Sequence, residues 1–170
     1  LENGLLLLFI GTLLAFAAIG FWDDAQKVFR KKRDGISAKT KFLAQCAVAG
    51  AASAILHYIP EAGGNFQALC LPFIKDPVWI MPFWVALIFS ILVIVGSSNA
   101  VNLTDGKDGL AVGCTIFCVL TYGAFAYMSS HVVFAKHLGL RFIGGGGAEI
   151  VVLAAAIAGA CIGFLWHNCH

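Results

Sequence analysis

The sequence predicts an all-α, polytopic membrane helix bundle with about five transmembrane helices. Three observations carry that prediction. Only 12% of the 170 residues are charged, against roughly 25% in a soluble domain. Mean hydropathy is +0.88, and water would not hold that much apolar surface. The apolar residues fall in five runs, near 5–22, 42–59, 79–98, 109–130 and 148–166, and a spanning helix needs roughly 20 such residues. These runs take up most of the chain, so residues 1–170 read as one integral-membrane domain. An apolar run directly after Leu1 and the polar cluster at Trp166–His170 give the expectation of a fragment of a longer multi-pass protein.

The first run ends on Asp23 and Asp24, with Lys27 four and three residues further on, so all three share a face if the helix continues. A basic loop follows. It carries seven of the chain's 11 Lys and Arg residues: Lys27, Arg30, Lys31, Lys32, Arg33, Lys39 and Lys41. Short cytoplasmic loops carry such an excess, so this loop is expected on the cytoplasmic side. The second run then leads outward to a nearly neutral 60–78 loop. Pro60, Gly63, Gly64, Pro72 and Pro77 supply its turns, with room for a short external hairpin. The third run returns inward. The fourth leads out to a 131–147 loop with a flexible Gly144–Gly147 stretch, and the fifth brings Trp166–His170 back. Alternation therefore puts three polar clusters on one face: Asp23-Asp24 with the basic loop, the Asn99–Asp108 segment, and the terminal His and Asn residues.

The Asn99–Asp108 segment carries the most information. No residue from Pro77 to Thr104 is charged, nor any from Gly109 to Ala135. Between those runs lie Asn99, Asn102, Asp105 and Asp108, spaced by three. Polar groups set beside hydrocarbon are costly and read as functional candidates. Spacing by three puts them on one helical face, while Gly106 and Gly109 loosen the backbone. Amides with carboxylates can read a planar base or a sugar, or hold the outer shell of a metal. An Asn cap on a polar helix end accounts for one of the four and leaves three unexplained.

Adjacent carboxylates at Asp23-Asp24 suit a hard divalent ion such as Mg²⁺, which often bridges carboxylates to substrate phosphates. The plainer alternative is a charged stop that fixes the helix's depth. Lys27, Lys31 and Lys39 could meet diphosphate oxygens, although charge placement and anionic lipid already account for a basic loop. The six cysteines contain no CxxC pair and read as small buried side chains. His57, His131 and His137 fall toward the other face and read as incidental.

Four segments carry a resemblance to a known family. Gly20–Lys27 resembles the GFxDDxxK motif of the polyprenyl-phosphate N-acetylhexosamine-1-phosphate transferases, within the glycosyltransferase 4 superfamily. Gly35–Lys41 resembles the GLSARTK stretch that follows it. Asn99–Gly106 matches the NAVNLTDG signature, and Gly163–His170 resembles GFLWxNxH. The order and spacing are similar over nearly the whole chain. Val101 and Thr104 resemble the peptidoglycan branch. The alternative is the branch acting on UDP-N-acetylglucosamine, which more often carries NAFN.

The resemblance implies an Mg²⁺-dependent transfer of phospho-MurNAc-pentapeptide from UDP-MurNAc-pentapeptide to undecaprenyl phosphate, giving lipid I and UMP. It implies a site on the cytoplasmic face of the bacterial inner membrane, with membrane lipid as a partner and no nucleic acid; a homodimer is left open. Residue by residue, Asp23 resembles the base or nucleophile and Asp24 its neighbour near the diphosphate. Lys27, Lys31 and Lys39 resemble the phosphate-side lysines. Asn102 and Asp105 correspond to the metal and sugar-phosphate side, with Asn99 beside them, and Asp108 and Asn168 to the nucleoside end. Asp23, Asp24 and Asp105 are the candidate catalytic residues and metal ligands. Lys107 departs from the apolar residue the family often has there. The family's further aspartate, in an MGD segment, and its histidine-rich loop are expected beyond His170, so this piece alone is expected to be inactive. A transporter and a non-catalytic scaffold are the rival classes. Against a transporter, the acidic groups gather at helix ends, whereas transporter carboxylates sit near the midplane on broken helices.

Overall fold

The computed structural model describes residues 3–29, 35–71, 74, 76–106, 108–140, 142–143 and 146–168. Among the described residues the fold is all-α apart from one two-stranded ribbon. Each of the five apolar runs forms a helix of at least 21 residues: α1 (Gly4–Phe29), α2 (Ala38–Tyr58), α4 (Phe83–Thr104), α5 (Leu110–Ser130) and α7 (Gly146–Asn168). Two short helices, α3 (Pro60–Phe66) and α6 (Val132–Leu138), lie between them. The helices α1, α4, α5 and α7 are long and apolar enough to cross a membrane. Large side chains such as Leu14, Trp84, Phe117 and Val152 are exposed, as expected where the solvent is hydrocarbon.

The described residues form two compact units. The first is Leu1–Leu69 with Val78–Ser97. In it, Asn3 caps α1 by accepting the Leu5 and Leu6 amides at 3.0 and 3.3 Å. The helix then runs for 26 residues, about 39 Å at 1.5 Å per residue. That exceeds the roughly 30 Å hydrocarbon core, so its last two turns, with Asp23, Asp24 and Lys27, have length to spare beyond the apolar run.

α2 packs against α1, with Gly4 meeting Ile59 at one end and Asp23 meeting Lys41 at the other, so the two helices are antiparallel. Between them lies an apolar groove of about 480 Å³, where Gly11 and Ala15 face Ala51 and Ala52. α2 has the length of a span without the apolarity, and its burial pattern gives the reason. The residues it buries are Gln45, Ala49 and Ser53, spaced by four. A helix in lipid turns its polar stripe inward, since hydrocarbon solvates no polar group. Ser53 Oγ and, one turn on, His57 Nδ1 are buried with no hydrogen-bond partner among the described residues.

α4 also packs on α2, through Ile91 at Gly50 and through the Phe83 ring, 5.0 Å from His57. The anticipated hairpin is present, slightly displaced. β1 (Ala68–Leu69) pairs antiparallel with β2 (Trp79–Ile80). The third apolar run was expected to be helical from residue 79. Its first residues are strand instead, because helix formation waits for Pro82, whose carbonyl accepts the first turn's bonds from Val85 and Ala86.

The second unit is Cys70–Pro77 with Ser98–His170. Its core is α5 against α7. Gly123 faces Ala154, and Gly147 nests against Ser130, Ile143 and the Ala126 carbonyl, so these helices are antiparallel too. Small residues let helix backbones approach closely where no hydrophobic drive operates between them. Gly147, expected in a flexible stretch, is therefore a buried packing residue in α7; Gly144 and Gly145 lie outside the described residues. Part of the 131–147 loop is helical, as α6, and Gly139 closes it at φ 66°. The hydroxyls of Thr115 and Thr121 donate to carbonyls four residues back at 2.8 and 2.7 Å, which satisfies them inside apolar helices.

Candidate functional site

The polar end of α1 is built around Asp23. This carboxylate is buried, with its side chain only 10% exposed. Oδ2 accepts from Lys27 Nζ at 3.1 Å and from Lys41 Nζ at 3.2 Å, and Oδ1 accepts the Ile36 amide at 3.1 Å. Local sequence explains each partner. Lys27 lies one helical turn after Asp23. Lys41 begins the inward stripe of α2 that continues through Gln45, Ala49 and Ser53. The Ile36 amide is presented by a tight turn at Gly35, where φ is 64°. A Cβ at Gly35 would overlap Asp23 Oδ1, so only glycine lets the backbone come this near. Ser37 then caps α2, its side chain accepting the Thr40 amide at 3.2 Å. The electropositive start of α2 thus begins beside the carboxylate.

Asp24 is set differently. Its side chain is 74% exposed and touches Lys27 Nζ at 3.0 Å. Lys27 is thereby shared between both aspartates. Lys39 is exposed and makes no ion pair among the described residues. It sits two residues from Lys41, and a step of two turns a helical side chain toward the opposite face. Lys31 lies outside the described residues.

In the second unit the Asn99–Asp108 segment does not stay on one helical face, as spacing by three suggested, but divides where Gly106 and Gly109 loosen the backbone. Asn99 and Asn102 lie on the last turns of α4, while Asp105 and Asp108 lie in the turn that follows. Thr104 Oγ1 donates to the Ala100 carbonyl at 2.8 Å and the Asp105 amide to that of Val101 at 3.2 Å, closing the helix. Gly109, at φ 79°, starts α5. Asn102, Asp105 and Asp108 are exposed and Asn99 is half-buried. Lys107 lies outside the described residues. Asn168 is the exposed last residue of α7.

Among the described residues no three His, Cys, Asp or Glu side chains cluster as a complete protein-built metal cage. Mg²⁺ rarely needs one, because it usually binds through one or two carboxylates and the substrate's phosphates. Asp24, exposed and with oxygen left over, fits that mode. Asp23, with both oxygens engaged, fits it poorly. Lys41 was missed as a site residue. The signal was present in the four-residue recurrence of Lys41, Gln45, Ala49 and Ser53, which marks Lys41 as inward-facing while Lys39 is not.

Four helices long and apolar enough to cross a membrane, with carboxylates, amides and lysines near helix ends, define a polytopic membrane protein. Residues 6–170 match Glycosyl transferase family 4, and the chain belongs to that family. It is similar to the phospho-N-acetylmuramoyl-pentapeptide-transferase of Methylacidiphilum infernorum, at 46% identity over 159 residues covering 94% of this chain and 43% of the relative. The enzyme of that name from Neisseria meningitidis is 42% identical over 171 residues, 99% of this chain and 46% of the relative. That from Desulfotalea psychrophila is 40% identical over 172 residues, 100% and 46%. The chain thus spans less than half the length of these relatives.

Proposed function

We propose that this chain is the part of a phospho-N-acetylmuramoyl-pentapeptide-transferase that carries its paired aspartates and its Asn-Asp signature. The reaction moves phospho-MurNAc-pentapeptide from UDP-MurNAc-pentapeptide to undecaprenyl phosphate, with lipid I and UMP as products. The observation that carries this reading is an exposed Asp24 joined to Lys27 at the polar end of an apolar helix, in a chain whose relatives bear that name. One substrate dissolves in water and the other is held by its isoprenoid tail, so a site at a membrane surface is where they meet. We place it on the cytoplasmic side of the bacterial inner membrane, because the basic loop after α1 follows the positive-inside pattern.

Phosphoryl transfer asks a protein for charge neutralisation and alignment more than for covalent chemistry. Lys27 and Lys39 are assigned to the diphosphate, together with Lys31. Asn99, Asn102 and Asp105 are assigned to the sugar-phosphate, and Asp108 and Asn168 to the nucleoside. Asp24 and Asp105 are assigned to the chemistry, and both carboxylates are exposed. When bound, Mg²⁺ would supply Lewis-acid polarisation of the phosphates, and Asp24 and Asp105 are exposed carboxylates of the kind that would hold it.

The test uses the full-length protein in lipid vesicles, with labelled UDP-MurNAc-pentapeptide and undecaprenyl phosphate. Labelled lipid I with stoichiometric UMP is the expected result. Transfer from UDP-N-acetylglucosamine instead would move the protein to the neighbouring branch. Solute flux without any transfer would replace the enzyme by a transporter.

A further inference from the structure

The two aspartates share one lysine, and among the described residues only Asp23 has a second. Lys27 Nζ bridges Asp23 Oδ2 at 3.1 Å and Asp24 Oδ1 at 3.0 Å. Lys41 Nζ is paired with Asp23, at 3.2 Å from the same Oδ2 that Lys27 uses. The two lysines differ in setting. The Lys27 side chain is 43% exposed and that of Lys41 21% exposed. Lys27 extends from a helix end toward the exposed carboxylate. Lys41 stands in the first turn of α2, whose start is fixed by the Ser37 cap and by the Ile36 amide on Asp23.

Consider an anionic phosphate arriving beside Asp24. Lys27 is the nearest cation among the described residues, and two of its three ammonium protons are already given to carboxylates. To turn more than one of them to the phosphate it must leave Asp23. Were Lys27 the sole cation there, its departure would leave a buried carboxylate without a counter-charge, which is strongly unfavourable. Lys41 and the Ile36 amide remove that obstacle, because Asp23 keeps both when Lys27 moves. We propose that Lys41 is a positioning residue that releases Lys27: it keeps Asp23 charge-balanced, so Lys27 can pass from the aspartates to a phosphate oxygen of the substrate. Lys41 itself does not touch the phosphate. Gly35 belongs to the same device, since its missing Cβ is what admits the Ile36 amide to Asp23. This inference rests on the transferase reading and extends it to a residue outside that reading's site.

The device makes Lys41 act through Lys27, and a coupling experiment isolates that. Full-length wild type, K41M, K41R, K27M and the K27M/K41M double variant are purified in detergent. Binding of uridine 5′-diphosphate is measured by calorimetry, with melting temperature as the check on folding. K41M is expected to weaken binding about tenfold, the scale of one charge-assisted hydrogen bond. K41R, which keeps the charge, should restore most of it. In the K27M background the Lys41 substitution should change nothing further, because there is no Lys27 left to release. Should K41M fail to fold, K41Q, which can still hydrogen-bond Asp23, takes its place in both backgrounds. Equal weakening in both backgrounds would show a merely structural lysine and overturn the proposal, as would no weakening in either. Wild type that transfers phosphosugar normally while K41M binds like wild type sinks this inference alone. Wild type that makes no lipid I sinks the transferase reading beneath it.

Discussion

Asp23 and Asp105 are both aspartates beside apolar helices, yet their settings are opposite. Asp23 is buried and holds two ammonium groups and a backbone amide. Asp105 is exposed, in a turn just past the end of α4. The first carboxylate joins three pieces of chain: α1, the Gly35 turn and α2. The second has open surroundings and can meet something from outside the chain. A motif that simply counts aspartates treats them alike. Solvent exposure separates a carboxylate that joins pieces of the chain from one open to solvent, and by that measure Asp24 belongs with Asp105 rather than with its neighbour Asp23.

The sharpest way to break this comparison is to neutralise the exposed carboxylates. D24N and D105N in the full-length protein should each lower lipid I formation by about 10²–10³-fold, the usual cost of removing one electrostatic contact to a transferring group. Their melting temperatures should stay near wild type. D23A should do the reverse in emphasis, leaving Lys41 part-buried without its carboxylate. A loss of about 3 kcal/mol in stability is expected, read from thermal or denaturant unfolding in detergent. If D23A melts like wild type, the organising role assigned to Asp23 is wrong. G35A should cost about 1–2 kcal/mol from the left-handed backbone alone, with more from the overlap with Asp23, and should show as a lowered melting temperature. S37A is the mildest change. Losing the α2 cap should cost about 1 kcal/mol, detectable as faster hydrogen exchange at the first turn of α2.

D23A and D105N also mark how far the sequence could be read. The helices were legible because apolar runs of membrane length have few other uses, and the signature segment was legible because charge is absent on both sides of it. The helix at Asn99 and Asn102 giving way to a turn at Asp105 followed from Gly106 and Gly109. What could not be read was partnership. Lys27, Lys39 and Lys41 look equivalent in a basic loop, and the face each presents is decided only once α2 is seen to bury the stripe Gln45, Ala49 and Ser53. The start of α4 was misjudged for a related reason. Trp79 and Ile80 are as apolar as the helix that follows, and their pairing with Ala68 and Leu69 is a non-local contact that no run of hydropathy reports. Gly147 carried a similar ambiguity, since a glycine cluster reads as loose until a neighbouring helix is found pressed against it.

The closeness of Gly35 to Asp23 also bears on how this protein can evolve. Every missense change one nucleotide away from a glycine codon introduces a side chain, and the first atom of any side chain at position 35 falls on the Asp23 carboxylate. The position therefore has no neutral neighbour in codon space. A lineage under pressure to alter this region, for instance from an inhibitor, would have to change exposed residues outside the site and leave residue 35 untouched.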